Sequence, residues 1–131
     1  MTPGGCLGPQ LDADSEPWWR ALAGRRLLLP RCNDCGQVWF PPTPSCPRCG
    51  AAAVELVGAS GRGHVYSWVV VNRALSPAFA GDAPYTILAV DLDEGARIFG
   101  RLLGDGEVTA GAPVRADFYE VAGRTLLGFR L

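Results

Sequence analysis

Residues 31–50 read RCNDCGQVWFPPTPSCPRCG, and this stretch decides how the chain is organised. It holds two Cys-x-x-Cys pairs, Cys32 with Cys35 and Cys46 with Cys49. Two intervening residues let both sulfurs of a pair point at one centre, and four cysteine thiolates form the ligand set of a closed tetrahedral zinc site. Because the protein supplies all four ligands and leaves none for a substrate, the pattern predicts one structural Zn²⁺ per chain.

Two other uses of four cysteines have to be weighed. Iron is the main rival, because four thiolates also hold the iron of a rubredoxin-type electron carrier. Against that function, the metal-binding stretch is a minor part of the chain. Two disulfides would require an oxidising compartment. The first residues have neither the basic start nor the apolar core of a secretory signal, so we expect a cytoplasmic protein with reduced cysteines.

The composition limits the classes of partner. The 131 residues are 48% hydrophobic and only 19% charged, which indicates that a partner covers some apolar surface. The net charge is −1, and all 12 basic residues are arginine. A chain of this charge binds phosphate backbones poorly, so no nucleic acid is expected. The longest apolar runs, such as residues 69–71, are too short to cross a bilayer, so no membrane is expected either.

Three regions follow one another along the chain. Residues 1–14 are rich in Gly, Pro and small polar residues, which predicts a disordered lead or linker with Cys6 as a bystander thiol. Residues 15–52 contain a predicted helix over 16–23, with Ser15 as a candidate N-cap, followed by the zinc ribbon. Within the ribbon, residues 38–40 are predicted to form a β-strand that two prolines end. Residues 53–131 carry the repeated strand patterns of a barrel.

The first predicted barrel strand is long. It begins at 54–57, is interrupted by the glycine-rich residues 58–63 and continues over 64–72. Strict alternation divides its side chains between two faces: Val65, Ser67, Val69 and Val71 on one, and Tyr66, Trp68 and Val70 on the other. Both faces are apolar, so we expect the strand to be covered on both sides.

Four more strands complete the predicted barrel, at residues 85–92, 96–102, 113–121 and 125–131. Five strands of this size fit a small closed barrel of the OB-fold type, with an SH3-like barrel as the alternative. The predicted fold class is therefore mainly β: a short N-terminal helix, a rubredoxin-like zinc ribbon with four cysteine ligands, and a five-stranded OB-fold barrel.

No catalytic residue is predicted. The one histidine, His64, stands beside Gly63 at a strand start, where a structural role is expected. The sequence shows no Ser-His-Asp order, paired catalytic carboxylates or phosphate-binding glycine motif. Asp91, Asp93 and Glu94 form a predicted hairpin turn in solvent.

The order of the motifs carries a family resemblance. Five motifs follow one another: a helix, Cys-x-x-Cys-Gly, an aromatic-Pro-Pro step, Cys-Pro-x-Cys-Gly and Gly-x-Gly-x-Val-Tyr-Ser. The residues that carry them after the helix are Cys32, Cys35, Gly36, Phe40, Pro41, Pro42, Cys46, Pro47, Cys49, Gly50, Gly61, Gly63, Val65, Tyr66 and Ser67. With the barrel they resemble the acyl-CoA-associated zinc-ribbon/OB-fold family over residues 15–131. One departure is Thr43, where the family often has an arginine after the two prolines.

The resemblance implies an accessory role. Members of the family pair with thiolase-like enzymes, including the actinobacterial aldolases that shorten steroid side chains, and the thiolase-like subunit carries the catalytic residues. The chain is thus expected to be a non-catalytic subunit of a hetero-oligomer, with acyl-CoA at the shared site. The alternative is a nucleic-acid-binding protein, because zinc ribbons and OB-folds both do that work.

Six residues are candidates for contact with a partner or ligand: Trp18, Trp19, Phe40, Trp68, Arg73 and Phe79. Of the two adjacent tryptophans, one is expected to pack on the zinc knuckles and the other to lie in an interface. Phe40, together with Trp39, is expected to pack on the barrel. Phe79 lies in the loop after the first strand and could meet a partner or an acyl chain. Arg73 beside it could meet a phosphate of CoA.

Overall fold

The computed structural model describes residues 13, 15–73, 81 and 83–131, and in them it shows one helix and seven strands. They are α1 (Glu16–Ala23), β1 (Leu28–Cys32), β2 (Val54–Gly58), β3 (Arg62–Val71), β4 (Tyr85–Leu92), β5 (Arg97–Leu102), β6 (Pro113–Val121) and β7 (Arg124–Arg130). β1 and β2 form a two-stranded sheet, and the other five strands close a barrel in the order β3-β4-β5-β7-β6. The predicted fold class is confirmed. The predicted lead falls on residues outside the described ones, apart from Ala13.

Helix α1 has the bounds that its sequence predicts. The backbone N–H of Trp19 donates to the Ser15 carbonyl at 3.0 Å, while the Ser15 side chain does not cap the helix as expected. Gly24 ends the helix and donates its N–H to the Ala21 carbonyl at 3.0 Å. No helix in the described part of the chain is long and apolar enough to cross a membrane.

One hydrophobic core joins the helix, β1 and the barrel. Leu22 of α1 and Leu29 of β1 are fully buried, as are Leu88, Ile98 and Phe129 of the barrel, and all belong to the same cluster. Burying a side chain of this size stabilises a fold by about 1.5–3 kcal/mol. The segment before the ribbon therefore completes the core of the barrel and fixes the helix on its wall.

The first long strand is divided in a way that the sequence did not indicate. β2 was predicted as the beginning of a barrel strand, but it pairs with β1 instead, in the register Leu29↔Val57 and Cys32↔Val54. The predicted strand at residues 38–40 is reduced to one bridge between Arg31 and Val38. Both corrections have one cause: a local apolar pattern shows that a segment is extended but not which strand lies beside it.

A bulge in β3 changes which side chains share a face. Opposite β4, Val65 pairs with Val90 and Ser67 pairs with Ala89, so Tyr66 is the extra residue. After it, Trp68 pairs with Leu88, a fully buried residue of the barrel interior. Val65 and Trp68 therefore point the same way, and the predicted strict alternation is wrong beyond the bulge.

The prediction that both faces of β3 are covered is also wrong for this chain by itself. Tyr66 is 55% exposed, Val69 60% and Val70 51%. Val69 pairs with Ile87 and points out of the barrel with Ser67, whereas Val70 points to the other side. The apolar residues of the strand are present as predicted, but the described part of the chain does not cover them.

Candidate metal centre and its surroundings

Two tight turns bring the four cysteines together. The first follows β1, and the N–H of Gly36 donates to the Cys32 carbonyl at 2.8 Å. In the second turn the N–H of Gly50 donates to the Cys46 carbonyl at 2.9 Å. Gly36 and Gly50 have φ values of 80° and 79°, a conformation that glycine adopts without steric strain. The glycine after each pair therefore lets the backbone turn back beneath its two sulfurs.

The geometry of the sulfurs fits one metal ion. All four Sγ atoms lie within 4.8 Å of one another, with 3.6 Å between Cys32 and Cys49 and between Cys35 and Cys46. A disulfide would need about 2.05 Å, whereas a tetrahedron with Zn–S bonds of about 2.3 Å has sulfurs about 3.8 Å apart. The four residues would thus hold Zn²⁺ as a closed, structural site, and the ion would tie the two turns to each other.

Backbone N–H groups donate hydrogen bonds to the sulfurs of the two buried cysteines. Cys32 and Cys46 are buried, while Cys35 and Cys49 are exposed. The N–H of Cys35 donates to Cys32 Sγ at 3.5 Å, and the N–H of Arg48 donates to Cys46 Sγ at 3.4 Å. Donors of this kind stabilise negative charge on sulfur where water cannot.

The close packing of the thiols shifts the pKa values of Cys46 and Cys49 in opposite directions. Burial disfavours the Cys46 thiolate, but backbone N–H groups of Cys49 and Arg48 outweigh it and lower the pKa of Cys46 to about 7. The backbone at Ala51 favours the Cys49 thiolate, but the hydrogen bond with Cys32 and the other neighbours oppose it and raise the pKa of Cys49 to about 12. A bound dication removes this conflict, because a coordinating thiol is deprotonated.

The ribbon has a small core of its own. Trp39 is buried with Cys32 and Cys46, and its Nε1 donates to Thr43 Oγ1 at 3.0 Å. Trp39 therefore packs on the cysteines and not on the barrel, which corrects the prediction for that residue. Phe40, the next residue along the chain, packs on the main core instead.

Two family models and a solved structure match the chain. The ChsH2 rubredoxin-like zinc ribbon domain matches residues 19–55, and the ChsH2 C-terminal OB-fold domain matches residues 56–119. A chain of the solved Ltp2-ChsH2(DUF35) aldolase is 36% identical, with a TM-score of 0.84 over 94% of this chain and 98% of that chain. This chain belongs to the ChsH2 zinc-ribbon and OB-fold family. The predicted family and the structural zinc site are confirmed.

Curated relatives of this ChsH2-family chain have different lengths. A DUF35 domain-containing scaffold protein of Methanocaldococcus jannaschii is 37% identical over 79% of this chain and 75% of that protein. The 3-oxo-4,17-pregnadiene-20-carboxyl-CoA hydratase alpha subunit of Mycobacterium tuberculosis is 30% identical over 92% of this chain but only 38% of that subunit. The chain thus spans little more than a third of the hydratase alpha subunits that it matches.

The predicted contact residues of this family member differ in how exposed they are. Trp18 is only 5% exposed; it packs edge-on against Trp19, with ring centroids 4.6 Å apart, and against Phe40, 5.1 Å away. Trp18 therefore belongs to the core and offers a partner little surface, while Trp19 and Phe40 are partly buried beside it. Neither tryptophan belongs to the small core of the zinc ribbon, which corrects that expectation.

The remaining contact candidates lie along or after β3. Trp68 is 39% exposed, and Arg73 is exposed just beyond the end of the strand. Phe79 lies outside the described residues, so the predicted contact there stays a prediction. The other predicted contacts stay predictions too, because testing them requires a complex with the partner.

A group of surface residues on β3, β4 and β5 was not predicted from the sequence. Phe99 is 62% exposed, and the Arg97 guanidinium lies 3.4 Å from the ring centre of Tyr66. Arg97 also donates to both carboxylate oxygens of Asp91, at 2.7 and 3.2 Å, and this hydrogen bonding lowers the pKa of Asp91. Asp91 is thus an ion-pair partner and not merely part of a solvated turn. Phe99 could have been noticed as an aromatic residue between two strand arginines.

Proposed function

We propose that this chain is a non-catalytic accessory subunit of a thiolase-like acyl-CoA enzyme. The observation that carries the proposal is the match to the Ltp2-ChsH2(DUF35) aldolase, where a chain of almost the same extent is part of a protein named for two components. The likeness covers helix, ribbon and barrel together, at 36% identity. The family resemblance supplies the expectation that the other component has a thiolase fold.

The chemistry of the described residues supports an accessory role. The metal site uses four protein thiolates and has no position left for a substrate, which is the arrangement of structural zinc. Within the described residues, His64 is exposed on β3 and takes part in none of the ion pairs. The partner would therefore supply the acid and the base of the reaction.

The finer proposal concerns the reaction. The complex would catalyse a retro-aldol cleavage that shortens a steroid side chain carried as a CoA thioester. Two relatives support it: one is named an aldolase, and one acts by its name on a pregnadiene-carboxyl-CoA. This chain would hold the partner in its active form and border the acyl-CoA site that the two subunits share.

Reconstitution tests both levels of the proposal. Each thiolase-like protein of the chain's own host is co-expressed with it, and the purified complex is assayed with steroid side-chain β-hydroxyacyl-CoA thioesters. The partner alone should be inactive or fail to accumulate, this chain alone should be inert, and the complex should cleave the carbon–carbon bond. Turnover by the isolated chain, or no complex with any thiolase-like protein, contradicts the accessory role. A complex that acts only on other acyl-CoA substrates contradicts the steroid assignment alone.

A further inference from the structure

An apolar surface lies on the outside of the barrel where β3, β4 and β5 run side by side. Register places Val69 beside Ile87 and Ala89 beside Phe99, so these side chains share the outer face. The bulge brings Tyr66 to the same side, where it meets Arg97. We call this surface the β3–β5 face and define it by Tyr66, Val69, Ile87 and Phe99.

The exposed area of the face is large for one small chain. Tyr66, Val69 and Phe99 are 55%, 60% and 62% exposed. With about 200 Å² for each aromatic side chain and about 150 Å² for the smaller valine, these three residues present about 320 Å² of mostly apolar surface. That is close to two fifths of the roughly 800 Å² that each partner contributes to a standard interface. The face therefore has the size of the apolar centre of such an interface, before its rim is counted.

A crevice continues the face toward the helix. It has a volume of about 230 Å³, and its lining includes Trp19 of the helix, Ile87, Phe99 and Leu126. An apolar cavity of about 150 Å³ is enough to hold a benzene ring. The crevice can thus receive one apolar side chain from a partner, next to the exposed ring of Phe99.

The polar residues of the face are already held in place. Arg97 is fixed between the Tyr66 ring and the two oxygens of Asp91. Tyr and Arg are enriched among the residues that dominate binding energy, and a side chain that is ordered beforehand loses less entropy on binding. Because Asp91 balances the charge of Arg97, this pair offers little net attraction to a phosphate backbone.

We infer that the β3–β5 face is the docking surface for the thiolase-like subunit, with an apolar side chain of that subunit in the crevice. The inference rests on the proposed function for the class of partner. The occupant is a protein surface because the face also carries aliphatic residues: Val69 and Ile87 lie side by side in the row next to Phe99. A platform that stacks nucleic-acid bases uses aromatic side chains in a positively charged groove instead.

A matched pair of variants tests the face. Val69 and Val70 are neighbours with similar exposure, 60% and 51%, but they point to opposite sides of β3. Val69→Arg should weaken the complex with the co-expressed thiolase-like subunit by at least about 30-fold in Kd, the effect of removing a residue worth about 2 kcal/mol. Val70→Arg should change the Kd less than about threefold. Phe99→Ala should resemble Val69→Arg, and all variants should keep the zinc content and the Tm of the wild type.

Each result separates one occupant from another. If the complex forms and both arginine variants bind like the wild type, the docking surface lies elsewhere, although the proposed function stands. If both variants lose the same affinity for the partner, the interface involves both sides of β3 and not the outer face alone. If no thiolase-like subunit binds the wild type, the proposed function fails first. A chain that dimerises alone and becomes monomeric with Val69→Arg uses the face for a second copy, and release of the partner by a single-stranded oligonucleotide assigns the face to nucleic acid.

Discussion

The close approach of β3 to β4 at Gly63 gives a sharp test of the barrel. Gly63 pairs with Leu92 on one side and with Val114 on the other, so it lies between two strands. A Cβ added there would lie 2.5 Å from the carbonyl oxygen of Asp91 and 2.8 Å from Val90 Cγ1. The valine methyl can turn away, but the carbonyl belongs to a strand that is paired on both edges. Gly63→Ala therefore forces β3 and β4 apart.

The magnitude follows from overpacking. An extra methyl group in a site that cannot yield destabilises by about 1–3 kcal/mol, and the upper half of that range applies because the obstacle is backbone. The lower entropy of the unfolded alanine chain offsets about 0.4–1 kcal/mol of this. We expect Gly63→Ala to lower the free energy of unfolding by about 2 kcal/mol. For a chain of this length that is a fall in Tm of about 6–8 °C.

Gly58→Ala is the matched control. Gly58 also lies in a strand, and a Cβ there would meet nothing within 4 Å. The zinc-loaded wild type and both variants are compared by urea denaturation and calorimetry, with zinc content measured beside them. Gly58→Ala should stay within about 0.5 kcal/mol of the wild type or be slightly more stable. Equal stability of the two variants would show that β3 and β4 can separate freely, and the reasoning from their contact would be refuted.

Two other predictions concern the metal and an ion pair. Cys46→Ser should reduce bound zinc from one ion per chain to almost none and unfold the ribbon, because structural zinc supplies folding energy. The control variant Cys6→Ser should keep its zinc. Equal metal content in the two variants, or one iron per chain in protein isolated from its host, contradicts the zinc site. Arg97 lowers the pKa of Asp91, so their pair stabilises the fold above the ordinary pKa of 3.8, and the contribution disappears as pH falls through the lowered value. Asp91→Asn should therefore reduce Tm at about pH 7 and converge with the wild type near about pH 2, and a difference that does not depend on pH excludes this origin.

The parts of the fold that the sequence predicts are those with a local cause. The spacing of Cys32, Cys35, Cys46 and Cys49 predicts a site, because a short turn can aim two sulfurs in only a few ways. Helix α1 and the strands at 85–92 and 113–121 have the predicted bounds, since Gly and Pro residues punctuate them. None of these features depends on which distant segment lies beside them.

The parts that sequence reasoning misses depend on distant segments. β2 pairs with β1, a segment more than 20 residues earlier in the chain, and the local pattern of residues 54–58 does not specify that partner. A bulge such as that at Tyr66 shifts alternation by one residue, and an apolar run tolerates either register because both sets of side chains are apolar. The exposed face on β3 could not be predicted for the same reason: an apolar strand residue looks alike in sequence whether its own chain or a partner covers it.

The zinc site and the β3–β5 face are linked through the packing of helix α1. β1 ends at Cys32 and carries Leu29, which is fully buried in the core that also holds Leu22 and Trp18 of the helix. The helix packs on β7, and its residues Trp18 and Trp19 are among those that line the crevice with Phe99. A metal ion that fixes the end of β1 would therefore also restrain the helix that borders the β3–β5 face. On the proposed docking, zinc would support partner binding by holding these two tryptophans in position.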